Sequence, residues 1–235
     1  MYDWRKIPLP ENRAEVAYKL IKDYLLSGEV EWGARITQTY LEEKMGISKT
    51  PIREALKRLE REGLIRIVPN KGAIVIRFNL EEVEELFGVF EYLEALAVRN
   101  VTRHVDETLL RSLSANLEEA RSYIDSDDNL SKAVQLDLAF HEEVVKASGN
   151  KKLLELYSII NAQLHVLYSR LALFPEDLML FTEQHREIIK AIANADCDAA
   201  ERISRSHIVN TKEVILRRFR EMGPVAHINQ HLLYG

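Results

Sequence analysis

The 235-residue sequence predicts a mainly α protein: three short helices and a β-hairpin, followed by an antiparallel six-helix bundle. Three observations lead there. Amphipathic stretches of helical spacing fill most of the chain; two β-rich runs, IRIVP and AIVIRF, stand side by side; and no further β-rich run occurs after residue 78. The composition, 46% hydrophobic and 29% charged, is ordinary for a soluble protein and suggests neither disorder nor a fibrous repeat. The length allows two domains, placed at 1–78 and 79–222, with a tail at 223–235 that carries His227 and His231 without clear regular structure.

The N-terminal elements follow in order. Residues 12–27 read as a helix, because Ala14, Ala17, Tyr18, Ile21, Tyr24 and Leu25 recur on one face. GEVEWGARI reads as a loop bounded by two glycines. Thr37 caps a second short helix, TQTYLEEKMG, that stops at Gly46. In ISKTPIREALKRLEREGLI, Thr50-Pro51 reads as a cap plus a first-turn proline, with Ile52, Ala55, Leu56 and Leu59 as the buried stripe and Gly63 as the stop. Pro69-Asn70-Lys71-Gly72 then joins the two β-rich runs as a hairpin.

This order is the plan of a winged helix-turn-helix. The third helix of such a fold enters the DNA major groove by its N-terminal end. That end carries Ser48, Lys49, Thr50 and Arg53, with Lys57 one turn on, and Lys71-Gly72 forms the hairpin tip. Arg53 suits a guanine edge or a phosphate, and the hydroxyls suit phosphate oxygens. A surface helix also carries Arg and Lys merely to meet water, so it is the joint pattern that points to DNA. Charge agrees. Residues 1–78 hold 15 Lys+Arg and 11 Asp+Glu, a net of +4, which leaves 17 basic and 26 acidic residues, a net of −9, for the remainder.

These residues resemble a known family. G-x-x-x-x-G-A-R-I, then M-G-I-S-K-T-P-I-R-E-A-L-K-R-L-E-R-E-G-L-I and the P-N-K-G hairpin, are similar to the DNA-binding domain of GntR-type bacterial transcription regulators. Most relatives have Arg where this chain has Lys49, and Lys brings a point charge rather than a bidentate fork.

In the second domain, helices are predicted near 81–104, 107–125, 130–148, 151–173, 176–195 and 198–222, separated by punctuation such as the DSDDN run and Pro175. His104 falls at the end of the first. Within the third, Asp137 and His141 lie one turn apart on a face shared with Val134, Leu138 and Val145. A carboxylate does not enter an apolar face without a partner. His185 lies on the stripe of Leu178, Phe181, Ile188 and Ile192, and His207 on that of Ala200, Ile203 and Val214. A single histidine so placed is more often a hydrogen-bonded core residue than a ligand. Three imidazoles and a carboxylate converging from three helices are the usual donors for a borderline divalent cation.

D-L-A-F-H, then S-G-N, E-H-R-E-I-I-K-A-I and a late His207 resemble the FCD effector domain of the FadR-like GntR branch, and six helices resemble its VanR-like subgroup. The resemblance implies one divalent metal ion per chain, zinc or nickel first and iron or manganese next, held by Asp137, His141, His185 and His207. It also implies a small organic acid effector, a homodimer built by the helical domain, and an operator of palindromic half-sites. Relatives commonly place an Arg about where Phe90 stands; Arg99, Arg103 and Arg170 are candidates to replace it, and His165 to line the pocket.

Other classes are narrowed. Cys197 is the only cysteine, which excludes an internal disulfide and a Cys-rich zinc cluster. The N-terminus lacks the apolar core of a signal peptide, and the longest uncharged stretch, LYSIINAQLHVLYS, is too short and polar to span a bilayer, so a reducing cytoplasm is the expected location. Two alternatives stand beside the regulator: a metal-dependent helical-bundle enzyme with a winged-helix interaction module, and a regulator whose Asp137 and histidines simply hydrogen-bond in the core.

Overall fold

A computed structural model describes residues 12–69, 72–126 and 129–222. The hairpin-tip residues Asn70 and Lys71 and the tail at 223–235 lie outside the described residues.

The first helix, α1, spans Arg13–Leu26, and the side chain of Asn12 caps it by accepting from the amides of Ala14 and Glu15 at 3.2 and 3.3 Å. Helix α2, Gln38–Met45, starts at Thr37, whose hydroxyl accepts from the Tyr40 amide, and ends at Gly46 in the left-handed region. Helix α3 spans Lys49–Arg61. It begins earlier than the Thr50-Pro51 reading expected: Ser48 is the N-cap residue, so Pro51 is the third helical residue, where its missing amide hydrogen is still harmless. Helices α1 and α3 pack together and bury Leu20, Ile21, Ile52, Leu56 and Leu59, and each such side chain contributes about 1.5–3 kcal/mol on burial.

The strands β2, Ile65–Val68, and β3, Gly72–Val75, pair antiparallel as expected. A third strand was not legible. Arg35–Ile36, inside the expected loop, forms β1 and pairs with β3, giving the order β1-β3-β2. The amide of Gly33 donates to the Val75 carbonyl and that of Val75 to the Ala34 carbonyl, each at 3.0 Å. A two-residue strand has no period to read, and its partner lies almost forty residues away. Gly72 is required by this pairing: its φ is +95°, and a Cβ there would stand 2.5 Å from the Ile36 carbonyl oxygen.

The other helices are α4 Leu80–Thr102, α5 Glu107–Ser126, α6 Leu130–Ala147, α7 Lys151–Tyr168, α8 Pro175–Ala193 and α9 Cys197–Glu221. The Asn79 side chain accepts from the Glu82 amide and the Glu82 carboxylate from the Asn79 amide, which closes a capping box on α4. Pro175 opens α8 as its first residue. Helix α7 stops at Tyr168, short of the expected 173, where the amide of Arg170 turns to the Leu167 carbonyl. Helix α4 packs along α9, and α5 packs against α6 and α8.

The contacts divide the chain into two units, one reaching to Phe78 and taking in Ala162–Arg170, the other holding Asn79–Asn161 and Leu171 onward. Within the first, Gln163 donates to the Glu62 carbonyl at 3.1 Å, the Trp32 indole to the Val166 carbonyl at 3.3 Å, and Arg170 pairs with Glu31 at 2.9 Å. The end of α7 therefore belongs with the winged helix, a partition that a linear reading of periods does not reveal. Among the described residues no helix is long and apolar enough to cross a membrane.

Candidate metal centre and nucleic-acid interface

Each of the three histidines sits on the buried stripe of its helix: His141 on α6, His185 on α8 and His207 on α9, all at least 97% buried. The packing of these helices turns their Nε2 atoms toward one point. His185 Nε2 lies 2.9 Å from His207 Nε2 and 3.2 Å from His141 Nε2, and the third side of the triangle is 3.3 Å. Ligand nitrogens about 2.1 Å from a common ion stand roughly 3.0 Å apart at right angles and 3.4 Å apart in a tetrahedron. The observed triangle falls within or just below that range.

The opposite nitrogens of two of the rings face acceptors. His207 Nδ1 stands 2.9 Å from Gln184 Oε1, and His141 Nδ1 stands 3.0 Å from Glu94 Oε2. Both partners can accept, and an Nδ1 proton on each of these two rings would leave both Nε2 lone pairs pointing inward. Two such lone pairs face the same point, where either a proton on His185 Nε2 or a cation offsets their repulsion. Phenyl rings wall the cluster. Phe140 stacks on His185 at 4.0 Å between centroids, and Phe90 meets His141 edge-on at 5.3 Å. Phe90 is thus part of this wall.

Asp137 is less fully buried than the histidines, and its Oδ1 lies 3.8 Å from His185 Nε2. Beside it a small cavity, lined among others by Asn116, Asp137, Thr182 and His185, has room for about one water molecule. Arg99, Arg103, His165 and Arg170 do not line it. Arg99 pairs with Asp198 at 2.7 Å and Glu201 at 2.8 Å, Arg103 is exposed past the end of α4, and His165 and Arg170 belong to the first unit.

Burial sets the titration of the cluster. Burial holds His185 and His207 well below the usual imidazole value, and neighbouring rings lower them further. For His141 burial also works downward, but Glu94 and Asp137 outweigh it and the net shift is upward. Asp137 is pushed up to about 6, first by burial and then by Glu94, against the pull of His141. In metal-free protein the unfolded chain binds protons near 6.5 at His185 and His207 while the fold refuses them. Their contribution to stability is therefore present above that pH and lost below it. Asp137 opposes them only between its ordinary value and about 6, where the fold holds a proton that the unfolded chain releases. Chelator-treated wild type should accordingly lose stability relative to a His207→Gln variant as the pH falls from about 7 to 5, by up to about 1.4 kcal/mol per pH unit. Paired thermal melts check this, and a gap independent of pH would refute it.

On α3, Lys49, Arg53 and Lys57 recur every fourth residue and form an exposed basic line. Ser48 and Thr50 are exposed as well, and Ser48 makes no side-chain capping bond, which leaves its hydroxyl available. Lys49 has Glu42 3.7 Å away. Arg58 differs in role. It stacks over the Tyr18 ring at 3.6 Å and pairs with Glu15 at 2.8 Å, so it fastens α3 to α1.

Two residues of the centre, Glu94 and Gln184, were not anticipated. Glu94 had a readable signal: it follows Phe90 by four residues and precedes Val98 by four, on the apolar stripe of α4. Gln184 had none, since a half-exposed glutamine is ordinary on a helix.

A winged helix-turn-helix with an exposed basic recognition helix, joined to a helical domain, defines a DNA-binding transcriptional regulator. Residues 13–75 match the bacterial regulatory proteins of the gntR family, and residues 85–210 match the FCD domain. The chain belongs to the GntR family, in the group that carries an FCD domain. It is 30% identical to the gluconate operon transcriptional repressor of Bacillus licheniformis, over 74% of this chain and 73% of that one. The uncharacterized HTH-type transcriptional regulator YdhC of Bacillus subtilis is 29% identical over 81% of this chain and 85% of its own length. The solved structure of Escherichia coli McbR/YncC shares the fold with a TM-score of 0.76 at 21% identity, over 88% of this chain and 98% of that one. The family and these relatives are transcriptional regulators, not enzymes.

Proposed function

We propose that the chain acts in the cytoplasm as a homodimeric regulator whose helical domain holds one divalent metal ion, and that a small organic acid meeting this ion alters operator affinity. The convergence of three Nε2 atoms at 2.9–3.3 Å carries the reading. Asp137 is the fourth ligand; its placement beside His185 supports that role. A nitrogen-rich set with one carboxylate favours zinc or nickel. When bound, the ion supplies a Lewis-acidic anchor for a carboxylate. The cavity beside Asp137 and His185, with Asn116 and Thr182 as its polar walls, holds about one water, so a carboxylate reaching the ion there requires these side chains to move apart. The name of the Bacillus licheniformis relative ties it to a gluconate operon, and gluconate is a carboxylic acid.

Ser48, Lys49, Thr50 and Arg53 face DNA, with Lys57 on the same line and Gly72 at the wing. One winged helix reads few base pairs, so a symmetric pair reads palindromic half-sites about 34 Å apart. Val89, Tyr92 and Leu96 are exposed on one side of α4, a self-complementary apolar patch suited to a two-fold contact.

The test uses an operator selected from random duplexes, with affinity measured by fluorescence anisotropy. Gluconate and other small organic acids should shift the affinity of metal-loaded protein by roughly 5- to 150-fold. Chelated protein should show no shift. An equal response with and without metal would remove the ion from the sensing step.

A further inference from the structure

Glu94 is buried in the middle of α4, with 1% of its surface exposed. Its Oε2 stands 3.0 Å from His141 Nδ1, while its Oε1 meets no hydrogen-bond partner. His141 Nδ1 is not aligned as a straight hydrogen bond, so the 3.0 Å contact is one of charge and proximity. Helix α4 spends a core position, flanked by Phe90 and Val98, on a carboxylate. An unpaired buried carboxylate is costly, and no Lys or Arg lies within ion-pair distance of it among the described residues.

We infer that Glu94 is the second carboxylate of the metal centre, acting through His141: it fixes the Nδ1-protonated form of that ring, aims the Nε2 lone pair inward, and balances the charge of the ion. Glu94 lies on the Nδ1 side of the ring, away from the point where the three Nε2 atoms meet, and is therefore a positioning residue rather than a ligand. With Asp137 it brings two negative charges to three neutral imidazoles. A divalent cation makes that set neutral, whereas a monovalent one leaves it charged in a phenyl-walled core. A carboxylate behind a ligating imidazole also raises its basicity, and losing such a partner lowers metal affinity roughly 10–100-fold.

This inference rests on the metal reading above, and its test separates the two. Zinc affinity is measured by competition with a chromogenic chelator for wild type, Glu94→Gln and Glu94→Ala. Wild type should bind one zinc per chain. Glu94→Gln, which keeps the shape and an acceptor but not the charge, should bind about 10-fold more weakly, and Glu94→Ala on the order of 100-fold. Nitrogen NMR of metal-free protein supplies a readout that packing alone would not move. His141 should be protonated at Nδ1 in wild type and Glu94→Gln, and should become a mixture of tautomers in Glu94→Ala. Thermal melts of the chelated proteins check that each variant is folded. Equal zinc affinity in wild type and Glu94→Gln overturns the inference and leaves the metal centre standing. Wild type that takes up no zinc overturns both.

Discussion

Replacing His185 by alanine should abolish the response of the protein to chelators. In the wild type, a metal ion at about a thousand times its dissociation constant stabilises the fold by about 4 kcal/mol. For a chain of 235 residues each kcal/mol corresponds to roughly 2–4 °C, so chelation should lower the melting temperature by on the order of 10 °C. His185 has the largest expected effect because it is the vertex of the two shorter sides of the triangle, at 2.9 and 3.2 Å. Without it, His141 and His207 remain 3.3 Å apart with Asp137 nearer the rim, too few donors to compete with a chelator. The substitution also deletes a ring stacked on Phe140, so the variant melts lower in any case. The diagnostic quantity is the difference between metal-loaded and chelated protein, which calorimetry should find large in wild type and near zero in His185→Ala. A variant that still shifts as wild type does would show that the ion, if any, binds elsewhere.

Arg53→Ala is expected to cost operator affinity without touching the fold. Arg53 is exposed, and its position on α3 leaves the buried stripe of Ile52, Ala55, Leu56 and Leu59 intact. One base-edge contact is worth about 1–3 kcal/mol, and the proposed dimer makes it twice, so the loss should be about 2–6 kcal/mol, roughly 30- to 10⁴-fold. Specificity at one base position should relax together with affinity. If Arg53 holds a phosphate instead, the loss is uniform across sequences and the salt dependence becomes shallower. Arg58→Ala is the contrasting control: it breaks the pairing with Glu15 and Glu62 and should show first as lower stability. Operator affinity within twofold of wild type for Arg53→Ala would remove this residue from the interface.

Much of this was legible in the sequence, for physical reasons that can be named. The buried stripe of α3 and the six helices after Phe78 follow from apolar periods, which survive in any packing arrangement. The histidines were legible because a polar side chain on an apolar face demands an explanation. The same argument applied to EYLEALAV would have found Glu94, which sits one turn beyond Phe90 on the buried face. Other features were not readable. Strand β1 is two residues long and exists only because β3 is beside it. Arg99 is taken up by Asp198 and Glu201, about a hundred residues away, and such a partner leaves no trace in local spacing. The helix start at Lys49 rather than Pro51 reflects the tolerance of the first turn for proline, which a cap-plus-proline rule places too narrowly.

The most direct measurement is elemental analysis of protein purified without added metal or chelator, followed by zinc or nickel titration of the stripped form. Close to one divalent ion per chain, lost in acid and regained on titration, is the predicted result. Protein that carries no transition metal and gains none at micromolar zinc or nickel would contradict a centre built from His141, His185 and His207.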